Sequence, residues 1–491
     1  MRISIRAIAL ACAAFALAPL AAQDAGGEDV FGQDEQVTQT TDQTQNAAPR
    51  DAILTSAVPW ITGSFTGKIG LTWSWSDIWG SGFDLLNPTS HGLTQSTTAL
   101  RLGFVARPDA DISITGQIRT AYPFVQQIDA GGGVTYTVPD LTVWSLYSKF
   151  TWKDTLFFSF GKQPLKWGTG YFFSPADDIF ALSGVDIADP TAEREGPLGL
   201  KVQYPIPRTM DNLYFFALLP SSNDPAVLAD LLPEDIAVAA KAEFLFGKTE
   251  VALAGYYQRV QRPQAILMGT TGFGNLNFFA EGTVAFANPS SDPYLTLGAT
   301  TWPPTGSSDY TVIDRKDDVL FCATAGGRYT NDAGDFTVVG QYLYNGYGYG
   351  SLTLSDLLQA TLDRAIVPNP GEPAWSFARL ANSLGGLGKI GQHYGVVYLS
   401  WSELWKTDLG FSVLSIANFS DGSGYVQPTL SYTCLGYVTL SASTSFSWGG
   451  EGTEFADAAG LLKALSEGDL TYKGKPTMSF SLVASIGTKS F

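Results

Sequence analysis

Carboxylates are the groups with most chemistry to offer in this sequence, and they crowd into one stretch. Between positions 163 and 197, Trp167, Gly168 and Gly170 open a segment that passes Pro175 and then carries Asp177, Asp178, Asp186, Asp189, Glu193 and Glu195. Clustered oxygens of this kind can take a hard cation. Held beside water and opposite basic groups, they can instead sort ions by charge. Basic groups stand in neighbouring segments as Arg101, Arg119, Lys149 and Lys201, with Lys241 and Arg328 farther along and Glu243, Glu250 and Glu281 among them. Nucleophilic or acid–base catalysis has little material. His91 and His393 are the only histidines, neither lies in a Gly-x-Ser-x-Gly setting, and no catalytic residue is assigned. Cys12, Cys322 and Cys434 are too few and too widely spaced for a disulfide framework or a zinc site, so no metal and no cofactor are expected.

The elements that position these groups begin after two segments of another kind. Arg2 and Arg6 precede an apolar run over 7–20, followed by small residues at Ala21 and Ala22, which is the pattern of a secretory signal peptide at 1–22. The run is too short to span a bilayer. Its shortness also argues against lipid attachment at Cys12. Residues 23–52 are rich in Gln, Thr, Asp and Glu and bury too little to fold alone, so they are expected as a flexible periplasmic tail. The formal charge of −17 grows more negative once Arg2 and Arg6 leave, which excludes nucleic acid as a partner.

Residues 53–491 are expected to form the next unit, and from Ser64 onward the dominant signal is alternation with period two, in segments of about 9 to 11 residues, the length of a tilted membrane strand. Val438, Leu440, Ala442, Phe446 and Trp448 share one face, and Thr439, Ser441, Ser443, Ser445 and Ser447 share the other. Ile112, Ile114 and Ile118 oppose Ser113, Thr115, Gln117 and Arg119 in the same way. Short turns alternate strictly with long irregular connections, as in barrels with short periplasmic turns and long external loops. The expectation is an all-β transmembrane antiparallel barrel of eighteen strands, from near Ser64 to near Thr477. The strand at 264–270 shows the weakest pattern, and losing its hairpin would leave sixteen. Apolar spacing of three or four predicts short helices in external loops at 225–232, 354–364, 375–384 and 454–466, packed above the rim.

The run Gly161, Lys162, Gln163, Pro164, Leu165, Lys166, Trp167, Gly168, Thr169, Gly170 and Tyr171 ends a strand. With Pro175, Asp177, Asp189, Pro190, Arg194, Gly196, Pro197 and the terminal Phe491, it resembles a group of bacterial outer-membrane β-barrel porin-like proteins. The resemblance implies an outer-membrane channel or surface protein, inserted by the barrel-assembly machinery. By comparison with trimeric porins, 163–197 is expected either to bend inward, its acids facing Arg101, Arg119, Lys149 and Lys201 across a constriction, or to stay outside as a solvated or calcium-binding loop. Phe480, Leu482, Ala484 and Ile486 are out of phase with Phe491, and a bulge near Gly487 would restore the phase.

Alternation sends the named basic and acidic residues into the lumen, where they either brace the wall as ion pairs or set ion preference. Trp73, Trp75, Trp144, Trp152, Trp401, Trp405 and Trp448 fit interfacial girdles, while Tyr147, Tyr256 and Tyr398 have inward parity, as an aromatic sugar track would need. The function expected is passive diffusion of small hydrophilic solutes through a monomeric or trimeric pore, with a cation bias from the acidic excess. A non-conducting adhesin or structural barrel is the rival, and an outer-membrane enzyme a weaker one. Lipid, the assembly machinery and small solutes are the partners expected.

Overall fold

The computed structural model describes residues 61–76, 90–122, 126–128, 134–136, 141–180, 194–219, 232, 235–259, 261–288, 295–299, 309–366, 389–434, 438–456 and 475–488. Alternation becomes one closed wall, an 18-stranded antiparallel sheet. Its strands are β1 (Ile61–Ser76), β2 (Ser90–Asp109), β3 (Ile112–Tyr122), β4 (Thr142–Trp152), β5 (Leu156–Lys162), β6 (Leu198–Pro205), β7 (Asn212–Leu218), β8 (Ala237–Phe246) and β9 (Thr249–Tyr257). The circuit continues through β10 (Gln264–Phe273), β11 (Leu276–Ala285), β12 (Leu320–Thr330), β13 (Phe336–Asn345), β14 (His393–Trp401), β15 (Leu409–Asn418), β16 (Ser423–Cys434), β17 (Val438–Trp448) and β18 (Thr477–Thr488). Each pairs with its successor, and β1 closes on β18 from Phe65 opposite Thr488 to Ser76 opposite Thr477. The strand at Gln264 is present.

Side chains divide as the pattern requires. Leu253, Leu267 and Val397 are 54%, 55% and 55% exposed on the outer face, while Ser441, Ser443 and Ser447 are buried on the inner one. A ring of exposed apolar side chains around an edge-free cylinder is a lipid-facing belt, because only a closed sheet satisfies every backbone group without water. No described helix is long and apolar enough to cross a membrane. The strands do so, and the chain is a membrane-spanning β-barrel. Tight turns mark the periplasmic end. Lys153 and Asp154 hold φ of 53° and 50°, the two-residue geometry whose twist matches the flanking strands, and Gly247 and Gly274 take φ of 66° and 61° without steric cost. Trp152 and Trp405 are exposed at that rim.

The long connections carry structure of their own. Helix α1 (Leu354–Ile366) forms as expected. Its face packs Leu357 and Ala360 against Leu295, Leu297 and Tyr310 of a hairpin, Leu295–Ala299 with Tyr310–Asp314, that alternation did not reveal. A second small hairpin joins Gln126–Ile128 to Val134–Tyr136. Of the other expected helices, 225–232 (save Leu232) and 375–384 lie outside the described residues, and the described start of 454–466 is a turn. β18 keeps continuous register with β1 through Gly487 to Thr488, the last described residue, so no bulge forms among the described residues near Gly487. Phe491 lies outside the described residues.

Candidate functional site

At the outer end of β5 the chain turns into the barrel instead of rising above it. Gln163 fixes the root of this turn: its Oε1 accepts from Ser159 Oγ at 2.5 Å and its Nε2 donates to Gly199 O on β6 at 3.3 Å. The returning limb is tied alongside by Lys162 and Glu195, 2.5 Å apart. Residues 167–180 then touch Glu281 and Gln341, each midway along its strand. At a tilted rise of about 3.3 Å per residue, that places the loop about 10 Å below the outer ends of the strands.

Two polar side chains of the wall act as pegs. Glu281 Oε2 accepts from the N–H of Thr169 at 2.6 Å and of Gly170 at 3.2 Å, and Oε1 accepts from the N–H of Ala176 at 3.2 Å. Gln341 Oε1 accepts from Phe172 N at 2.8 Å, while its Nε2 donates to Phe173 O at 2.6 Å and to Thr324 Oγ1 at 2.7 Å. Lys241 adds a third tie, donating to Trp167 O at 3.0 Å while paired with Glu243 at 2.5 Å. A loop buried away from water must find partners for its backbone polar groups, and these pegs supply them. The fit is close enough that a Cβ on Gly170 would strike the Phe173 carbonyl oxygen, and one on Gly168 would strike Ser174 Oγ and Glu281 Oε2.

The loop covers half of the wall, and there the inner face is apolar. Leu165, Trp167, Ala176 and Phe180 pack on Phe216, Leu218, Ala237, Ala239, Ala252, Tyr256, Ile266 and Met268. Phe172 and Phe173 pack on Val339, Leu343, Tyr394, Val396, Leu414 and Ile416. Trp167 lies 4.4 Å from the Phe180 ring and 4.7 Å from Phe216. The inward tyrosines Tyr256 and Tyr398 are therefore not an open sugar track, because Phe180 and Phe172 pack against them at 5.4 and 5.8 Å.

The remaining wall, from β16 through β18 and β1 to β6, is polar inside. Ser441, Ser443, Ser481 and Thr429 line it with Lys68. Arg101 stands opposite Arg119 across β2 and β3. Two like charges so placed repel, and Arg119 turns its guanidinium 3.5 Å from the Trp144 ring while Nε donates to Gln117 at 2.8 Å. Trp144, expected in a girdle, is thus an inner partner of Arg119. Lys149 and Lys201 both lie opposite Ser159, one on each side, over the Tyr147 and Tyr214 rings at 5.7 and 5.3 Å. Arg328 has inward parity near the periplasmic end of β12, and Glu250 likewise on β9.

The described acids of the loop, Asp177, Asp178 and Glu195, find partners within the loop and at its root. Asp177 Oδ1 accepts from Trp167 N at 2.5 Å and Gly168 N at 2.8 Å, closing the loop on itself; Asp178 pairs with Arg194 at 2.7 Å, and Glu195 with Lys162. Their charge is met within the loop and its root, which is the cheaper place for a carboxylate withdrawn from water. Pro175 lies buried between the Glu281 and Asp177 contacts. Asp186, Asp189 and Glu193 lie outside the described residues. Sequence reasoning missed Gln341, whose signal is a polar residue in an inner row otherwise filled by Val339 and Leu343.

The sequence matches no protein-family model and no curated protein. Among solved structures, the chain is similar to OccAB1 of Acinetobacter baumannii, at 13% identity and a TM-score of 0.47 over 88% of this chain and 97% of that one. It is similar to a BenF-like porin of Pseudomonas fluorescens Pf-5 at 10% identity and 0.47, over 88% and 100%. For OccK8 (OprE) of Pseudomonas aeruginosa the values are 10% and 0.46, over 88% and 98%.

Proposed function

We propose that this barrel is a passive outer-membrane pore for small hydrophilic solutes, and that they pass between the inward loop 163–180 and the polar wall of β16 to β6. The observation that carries this reading is the division of the lumen. An apolar half is sealed by a loop with its own pegs, and a hydroxylic and cationic half is left beside it. The wall charge favours anions over the cations expected from overall composition. Arg101, Arg119, Lys149 and Lys201 sit together on β2 to β6, and the positive charge of that wall carries the preference. One unit charge about 4 Å from a permeating ion in water is worth about 1 kcal/mol, roughly a five-fold preference. Planar-bilayer recording across a KCl gradient tests this. Discrete steps with a reversal potential on the anion side are expected; silence at all potentials would favour the adhesin or structural barrel instead. Residues 1–22 as the leader and 23–52 as a periplasmic tail complete the proposal, and the mass of the mature protein checks the cleavage after Ala22.

A further inference from the structure

Several external connections meet at a polar knot that the permeation route does not use. Glu454, in the connection after β17, accepts on Oε2 from the Tyr394 hydroxyl of β14 at 2.6 Å and from Asn418 Nδ2 of β15 at 2.8 Å. Its N–H donates to Asp421 Oδ2 in the turn between β15 and β16 at 2.8 Å, and Asp421 Oδ1 is held by Ser423 Oγ at 2.6 Å. From the connection before β14, the Gly391 N–H donates to the Tyr394 hydroxyl at 2.7 Å, and Lys389, whose pKa burial lowers against the pull of Asp178 and Glu454, faces Glu454. Lys389 also faces Asp178 and Arg194 of the inward loop and lies 5.4 Å from the Phe173 ring. Beside Glu454, Phe455 packs on Tyr425 at 5.5 Å and joins the cluster that holds Phe172 and Phe173. Ser355, at the start of α1, donates to Gly452 O at 2.9 Å.

We propose that residues 449–456 form an acid-tightened latch on the external mouth, seated while Glu454 is neutral and loosened when it ionises beside Asp421. Withdrawal of its carboxyl from water, reinforced by Asp421, raises the Glu454 pKa to about 7, against the opposing pull of Tyr394, Asn418 and Lys389. A carboxyl that binds its proton more tightly seated than unseated favours seating in acid. That advantage is lost as pH rises from the ordinary carboxyl range of about 4.5 through about 7. Loosening uncovers the aromatic packing above Phe173 and so loosens the outer side of the inward loop. This last effect on flux rests on the pore reading; the latch itself does not.

Amide hydrogen exchange on the full barrel in detergent micelles, corrected for the intrinsic effect of pH, reads the latch without any flux. Between pH 5 and 8 the wild-type segments 449–456 and 418–423 should open about ten-fold more or greater, the screened share of a shift from about 4.5 to about 7. Glu454→Gln, a neutral side chain of the same shape, should flatten the profile, and Asp421→Asn should move its midpoint to lower pH. A flat wild-type profile, or one unchanged by Glu454→Gln, overturns the latch. Single-channel recording over the same range separates the two ideas. Titrating exchange with silent bilayers keeps the latch and removes the pore, while flat exchange with normal conductance does the reverse.

Discussion

Glu281→Ala removes the peg on which the inward loop hangs. The carboxylate accepts from the N–H groups of Thr169, Gly170 and Ala176 at 2.6, 3.2 and 3.2 Å. Hydrogen bonds to a charged acceptor are worth about 1.5–3 kcal/mol each, so the three contribute roughly 4.5–9 kcal/mol gross. Keeping a carboxylate from water offsets several kcal/mol of that. Leaving those three N–H groups without an acceptor, at about 1–3 kcal/mol each less what entering water recovers, costs about 3–5 kcal/mol. At about 1.4 kcal/mol per factor of ten, docking of the loop weakens by roughly two to three and a half orders of magnitude. Gln341 and Lys241 still hold their own ties, so the loop is expected to leave the lumen intermittently. Planar-bilayer recording should show larger and noisier single-channel steps for Glu281→Ala, and a smaller change for Glu281→Gln, whose amide oxygen still accepts. Heat-modifiable mobility in detergent gels verifies that the barrel itself is intact. An intact Glu281→Ala barrel with wild-type step size and noise would refute the peg argument.

Further perturbations follow from the same geometry. Gly170→Ala drives a methyl into the Phe173 carbonyl and should cost about 1–3 kcal/mol, the usual range for overpacking, read as a lower melting temperature and unsteady conductance. Leu253→Arg places a charge at mid-height on the lipid face and should destabilise the barrel by about 2–4 kcal/mol in a urea-unfolding series in lipid vesicles. Lys149→Glu combined with Lys201→Glu should move the reversal potential in a KCl gradient toward cations.

Much of the architecture was legible because a membrane barrel writes its lipid face into every second residue. The strand at Gln264–Phe273 read weakly for a physical reason. Leu267 faces lipid, but Ile266 and Met268 on the inner side are buried under the inward loop, so both faces are apolar and the alternation fades. The hairpin at Leu295–Ala299 was hidden in a stretch rich in proline, glycine and serine, and its packing partner, α1, lies in another connection. Inward parity placed Glu281 correctly, yet its task depends on the N–H groups of a loop more than a hundred residues earlier, which no local pattern encodes. The same blindness affected Asp177, Asp178 and Glu195. Composition counts their charges, but the carboxylates are matched by backbone N–H groups and by Arg194 and Lys162. Net charge therefore does not report how the wall itself is charged.

In the pore proposed above, water runs along one half of the lumen only. Single cysteines at Lys149 and Lys201 on the polar wall, and at Ala239 and Val396 beneath the loop, test it directly in a background with Cys322 and Cys434 replaced by serine. A charged methanethiosulfonate reagent should change single-channel current promptly at the first two positions and leave the last two untouched. Modification at Ala239 and Val396 at the rate seen at Lys149 would contradict the divided lumen.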